Sequence, residues 1–179
     1  ATAASLVESG ACRNVLLVTG DNRLTGLSRN GAVAALAQVG HPDFERPYGF
    51  SVPAGYALVA SRYMHEYDCT PEHLSHIAVA MRKHAMRTDG AHKRSALTVA
   101  EVEGSKPIAS PLRLLDCSLI SDGAAALVVG RGDVATDAPG TPVRILSSGQ
   151  GHTHEHIVAA PSLVDFGCKT SSAEAFARA

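Results

Sequence analysis

The order of apolar and polar positions lays out most of the chain's elements. Leu6 and Val7 lie among alanines in a helical opening that Gly10 stops. Residues 14–20, NVLLVTG, form a short apolar run without alternation, the pattern of a strand covered on both faces. Residues 21–49 mix charge with Gly and Pro and read as an irregular surface segment with one short helix near 32–39. Ser51 is placed to cap a helix over 51–67, with Pro53 in its first turn and Ala57, Val59, Ala60, Tyr63 and Met64 along its apolar side. Thr70-Pro71-Glu72 opens a second helix to about residue 86, with Leu74, Ile77, Ala78 and Met81 on its buried side. Thr98 and Glu101 have capping-box spacing for a brief helical turn. Asp122-Gly123 leads into an apolar strand over 124–129, where Gly123 permits a sharp backbone entry. Residues 131–140 read as a linker and 143–148 as a further strand. Ser171 to Glu174 then open a last helix.

Composition narrows the classes. With 16 Lys plus Arg against 17 Asp plus Glu, the formal charge is −1, so no field attracts nucleic acid. Four Tyr, four Phe and no Trp leave few stacking platforms for single strands. A 45% apolar content supports a folded core. The longest apolar runs fall far short of the ~20 residues that span a bilayer, so no membrane span is expected. The first residues carry no secretory pattern. Cys12, Cys69, Cys117 and Cys168 are widely spread, as reduced thiols are in a cytoplasmic protein. Both ends fall inside helical patterns, so the chain reads as a fragment cut from a longer one.

The segment DCSLISDGAAALVV at 116–129 resembles the strand entry of the thiolase superfamily, small-Ser-x-x-x-Asp-Gly-Ala-Ala-Ala. Residues 5–21, 47–79 and 105–116 are similar to the same superfamily in the same order, most closely to its sterol-carrier and lipid-transfer branch. The resemblance implies an α/β, thiolase-like layered αβαβα fold, present in part. It assigns 1–20 and 111–130 to a first half, 21–110 to a loop region inserted over the active site and 141–179 to the start of a second half.

The activity implied is acyl transfer on acyl-CoA, by Claisen condensation or thiolysis through a Cys thioester. The nucleophile is expected within roughly two helical turns upstream of Ala1, and the His loop and second Cys beyond Ala179. No catalytic residue is therefore assigned within the chain. One alternative is a thiolase-fold lipid-transfer protein acting as a retro-aldolase on steroid side-chain acyl-CoA. Another is a non-catalytic scaffold that holds acyl-CoA. A coenzyme A thioester is expected as substrate, with no permanently bound cofactor. The expected partners are further copies in a homodimer or tetramer and a small OB-fold protein.

By this resemblance Ser118 contacts the pantetheine arm, with Ile120 beside it, and Ser51 and Val52 line the same pocket. Each also has a simpler reading: Ser118 bonds local backbone at a strand entry, and Ser51 is a helix cap. Cys117 is no nucleophile, because adjacent Asp116 raises a thiol pKa and no histidine is near in sequence. His152, His154 and His156 alternate and could face one metal from a strand. A loop near the acyl-binding mouth, without metal, is the preferred reading. His73 and His76 are expected on a solvated helix face, and Arg23, Arg29, Lys83 and Arg87 are left unassigned.

Overall fold

A computed structural model describes residues 1–132, 140–141 and 143–179, except for the side chain of Arg29. Most of the expected 131–140 linker lies outside these residues. The described residues combine helices with two small antiparallel sheets, an α/β composition. They fall into two compact units.

The first unit comprises Ala1–Arg29, Ser121–Glu155 and Asp165–Ala179. Helix α1 (Thr2–Glu8) ends before Gly10, whose φ of 75° suits a residue without a Cβ. Strand β1 (Asn14–Asn22) pairs with β4 (Asp122–Gly130), and Val15 lies opposite Val129. Helix α1 packs on this pair and buries Ala3 and Val7. Val15 and Val129 are half-buried, whereas Leu16, Val18 and Val128 are 65%, 70% and 66% exposed. The expectation that residues 14–20 are covered on both faces is thus corrected among the described residues. Helix α1 lies on a two-stranded ribbon, and among the described residues the side chains that alternate to the opposite face stay exposed.

Two expectations in the last third are also corrected. No strand forms over 143–148, where Val143 and Leu146 are exposed and the Ser147 hydroxyl donates to the Ala175 carbonyl. An extended segment without a ladder partner is not a strand. Helix α6 (Cys168–Arg178) begins earlier than the serines suggested, behind Gly167 at φ 82°. Ser171 and Ser172 bond back to the carbonyls of Cys168 and Lys169 inside the helix, the alternative use of such hydroxyls.

The second unit comprises Asn30–Ile120 and His156–Val164. Helix α2 runs over Arg29–Ala37, starting before the expected residue 32. Helix α3 (Val52–Tyr67) starts where Ser51 Oγ accepts the Ala54 N–H at 3.2 Å. It buries Gly55 and Ala57 but leaves Tyr63 exposed. Helix α4 (Pro71–Met86) has Pro71 in its first turn, and the Thr70 N–H donates to His73 Nδ1. His73 and His76 are exposed.

Helix α5 (Val99–Glu103) has only five residues, too few to persist alone. Thr98 Oγ1 accepts the Glu101 N–H and Glu101 Oε2 accepts the Thr98 N–H, closing its start, and Val102 is wholly buried. Strands β2 (Pro107–Ala109) and β3 (Leu112–Arg113) form a short ribbon that leads into a 3-10 turn, Leu114–Asp116.

One long-range clamp ties this unit's two chain segments together. Glu45 accepts the His41 N–H and the Val158 N–H, each at 2.8 Å. Burial pushes the Glu45 carboxyl upward. These two donors, with the His156 and His41 rings nearby, outweigh it and hold the carboxyl below its ordinary 4.5. A depressed folded-state value contributes stability that is complete above the ordinary value and lost as pH falls through the folded one. Urea titrations of wild type and Glu45→Gln should therefore show a stability difference at neutral pH that shrinks on acidification below 4.5. A difference that grows on acidification would contradict the clamp.

Candidate functional site

The second unit carries an open groove of about 500 Å³, within the 300–1,000 Å³ common for small-molecule sites. One wall is α4, where Leu74, Ile77, Ala78, Met81 and Ala85 follow helical spacing. The facing wall comes from Leu97, Leu112, Leu115 and Leu119. Sequence periodicity placed Ile77 and Met81 in the core. They are instead 61% and 59% exposed, and this outcome corrects that expectation. The helix's covered side is taken by small Ser75 and Val79, and the bulkier stripe beside it is left to line the groove.

The polar part of the groove is Asp116, Cys117 and Ser118. Their backbone is fixed by local bonds. Asp116 Oδ2 accepts the Arg113 N–H at 2.8 Å, and Leu114 N–H donates to the Lys106 carbonyl at 2.8 Å. Ser105 joins this turn to α5, donating to the Val102 carbonyl and accepting the Leu115 N–H. Asp116 Oδ1 is enclosed without a hydrogen-bond partner among the described residues. Burial first, and the Asp116 charge second, push the Cys117 thiol above its ordinary value, so the thiolate is disfavoured. Arg82, His92 and Lys93 supply cationic or ionisable groups to the same groove, and Arg82 Nη1 also donates to the Ser95 carbonyl.

Ser118 is thus exposed within the groove lining, which leaves out Ile120, Ser51 and Val52. Ile120 is half-buried just past Leu119, and Val52 is the first residue of α3. Ser51 acts as the α3 cap. Ser51→Ala should lower stability by about 1 kcal/mol in chemical denaturation, and Ser51→Asn should recover most of it. Equal stability of the alanine variant would contradict the capping role.

Each of the three histidines has its own local partner. His152 is bonded to Gln150 and His154 to Thr153, with the His154 ring 5.1 Å from Phe166, all in the first unit. His156 belongs to the second unit, its ring 5.0 Å from that of His41. Residues 150–156 are not a strand, so the alternation that would align the rings is missing. Among the described residues no group of three or more His, Cys, Asp or Glu is arranged for a metal. Among the same residues no helix is long and apolar enough to cross a membrane.

No family model matches the sequence. Among curated proteins, the chain is 39% identical over 131 residues to an acetyl-CoA acetyltransferase of Methanocaldococcus jannaschii, covering 73% of this chain and 33% of that protein. It is 40% identical over 111 residues to a steroid side-chain-cleaving aldolase of Thermomonospora curvata, covering 61% and 28%. Among solved structures, an Ltp2-ChsH2(DUF35) aldolase matches with a TM-score of 0.74 and 30% identity, over 90% of this chain and 42% of that one. The relatives support a thiolase-related family. The chain spans 33% and 28% of the lengths of these two curated relatives.

Proposed function

We propose that this chain is the central part of a thiolase-like protein that makes or breaks carbon–carbon bonds in coenzyme A thioesters. The observation that carries the reading is Ser118, which lies in an apolar groove also lined by Arg82 and Lys93. A serine hydroxyl can donate to or accept from the amides of a pantetheine arm, apolar walls take the carbon skeleton, and cations suit the phosphates. Ile120 beside Ser118, and Ser51 and Val52, belong to the proposal as contacts of that arm from outside the groove lining. The layered αβαβα architecture and the half-and-insertion division of the chain belong to the same proposal.

The reaction is acyl transfer, Claisen condensation or thiolysis through a Cys thioester. Cys117 is not assigned as that nucleophile, since burial and the Asp116 charge push its thiol upward and disfavour the thiolate that catalysis needs. The solved aldolase, matching over 90% of the chain, favours a second reading: retro-aldol cleavage of a β-hydroxyacyl side chain on coenzyme A. One pair of assays on the protein at its full natural length separates them. Loss of acetoacetyl-CoA in the presence of free coenzyme A supports thiolysis. Release of a ketone from a steroid side-chain β-hydroxyacyl-CoA supports the aldolase. Turnover of neither contradicts both and leaves a scaffold that holds the thioester, assembled with copies of itself or with a small OB-fold partner.

A further inference from the structure

Residues His156–Val164 belong to the second unit, although the chain on both sides of them belongs to the first. Their own hydrogen bonds are local. Ala159 N–H donates to the His156 carbonyl and Ala160 N–H to the Ile157 carbonyl, each at 3.0 Å, and Val164 N–H donates to Ser162 Oγ at 3.2 Å. A segment organised in this way keeps its internal bonds when it moves as a unit.

The segment meets residues 41–55 through a hydrogen bond, a ring contact and a side-chain seat. Val158 N–H donates to Glu45 Oε1 at 2.8 Å. The His156 and His41 rings stand nearly perpendicular, their centres 5.0 Å apart. Ile157 occupies the notch left by buried Gly55 in α3, where an added Cβ would lie 2.9 Å from Ile157 Cδ1 and 3.0 Å from the Phe50 ring.

This docking is a balance of opposed terms. The bond to the Glu45 carboxylate and the Ile157 seat favour it. Against them, His156 Nδ1 is enclosed with no hydrogen-bond partner among the described residues, and opening returns it to water. Val158 is 52% exposed, so its side chain adds little to the hold. A segment held in this way opens at lower free energy than packed helices such as α4 and α5.

We propose that His156–Val164 is a hinged strap, latched by Glu45 and seated through Ile157 on Gly55, which opens as one piece while α4 and α5 stay folded. Opening uncovers the notch between Phe50 and Gly55 at the start of α3. None of the strap's residues is in the groove lining, so the motion is independent of the thioester reading above.

The test is hydrogen–deuterium exchange of the protein at its full natural length, read at single amides by mass spectrometry, for wild type, Ile157→Ala, Gly55→Ala and Ile157→Val. The Val158 amide reports the strap, while those of Val79 in α4 and Val102 in α5 report the fold. In wild type, Val158 should be protected, yet exchange about a hundredfold or more faster than Val79. Ile157→Ala removes three carbons from the seat and Gly55→Ala fills the notch from the α3 side. Each should speed Val158 exchange about tenfold with Val79 and Val102 unchanged, and Ile157→Val should stay within about threefold of wild type. Val158 exchanging as slowly as Val79 overturns the proposal, since the segment would then open only with the whole fold. Exchange at the rate of an unstructured peptide overturns it too, because no closed strap would exist. So does an equal rise at Val158, Val79 and Val102 in both Ile157→Ala and Gly55→Ala, or no change at Val158 in either.

Discussion

Gly151→Ala is expected to lower stability by about 3 kcal/mol and to expose α6 to proteolysis. A Cβ at Gly151 would run into the Gly167 carbonyl, and Gly167 is itself held at φ 82°. Both partners are backbone, so no rotamer change relieves the contact, and overpacking of this kind costs about 1–3 kcal/mol or more. The same approach recurs nearby, where a Cβ at Gly149 would meet the Ser171 carbonyl and, at 2.8 Å, the Ala175 N–H nitrogen. Residues 149–151 therefore lie flat against α6, and the two glycines are what allow it. Chemical denaturation with limited proteolysis checks the prediction. Wild-type stability in Gly151→Ala would show that the backbone approach is not as close as the structure has it.

Val102→Asp is expected to be as damaging in the second unit. Val102 is wholly buried at the point where α5 packs against α4 and the Leu114–Asp116 turn. An unpaired carboxylate there costs about 3–5 kcal/mol. Because Ser105 accepts the Leu115 N–H and donates to the Val102 carbonyl, loosening α5 also loosens the turn that presents Ser118. Val102→Asp should therefore unfold at markedly lower urea and weaken thioester binding with it. Val102→Ile is a conservative control for both. Normal binding by the aspartate variant would mean that α5 does not support the groove.

The parts of this fold legible in the sequence were those decided by local chemistry. Ser51, Thr70-Pro71 and Thr98 with Glu101 mark helix starts that appear at α3, α4 and α5, because a cap needs only residues within one turn. The runs at 14–20 and 124–129 are strands for a similar reason. The choice between equivalent faces was not legible. Periodicity identified the apolar stripe on α4 but could not say that Ser75 and Val79 occupy the covered side and leave Ile77 and Met81 to the groove. Nor could it say that α1 covers one face of the β1–β4 ribbon and leaves Leu16 and Val18 bare.

Long-range polar contacts carry no sequence mark at all. Glu45 and Val158 are separated by 113 positions, and nothing around Glu45 advertises its partner. Residues 143–148 show the opposite error, a strand-like pattern that makes no ladder among the described residues. At the site, Ser118 was found through its resemblance to a family motif. The groove that gives it a neighbourhood came from the packing of α4, α5 and the Leu114–Asp116 turn.

The central claim is that a coenzyme A thioester occupies the groove beside Ser118. Cys117 is a built-in reporter there, half-buried in the lining, whereas Cys12 and Cys168 are exposed in the first unit. The direct measurement is the rate of maleimide labelling at each cysteine of the natural-length protein, read by peptide mass spectrometry with and without saturating octanoyl-CoA. The expected result is selective slowing at Cys117, with Cys12 and Cys168 labelled at unchanged rates. Labelling of Cys117 at the same rate with the thioester bound would contradict the account.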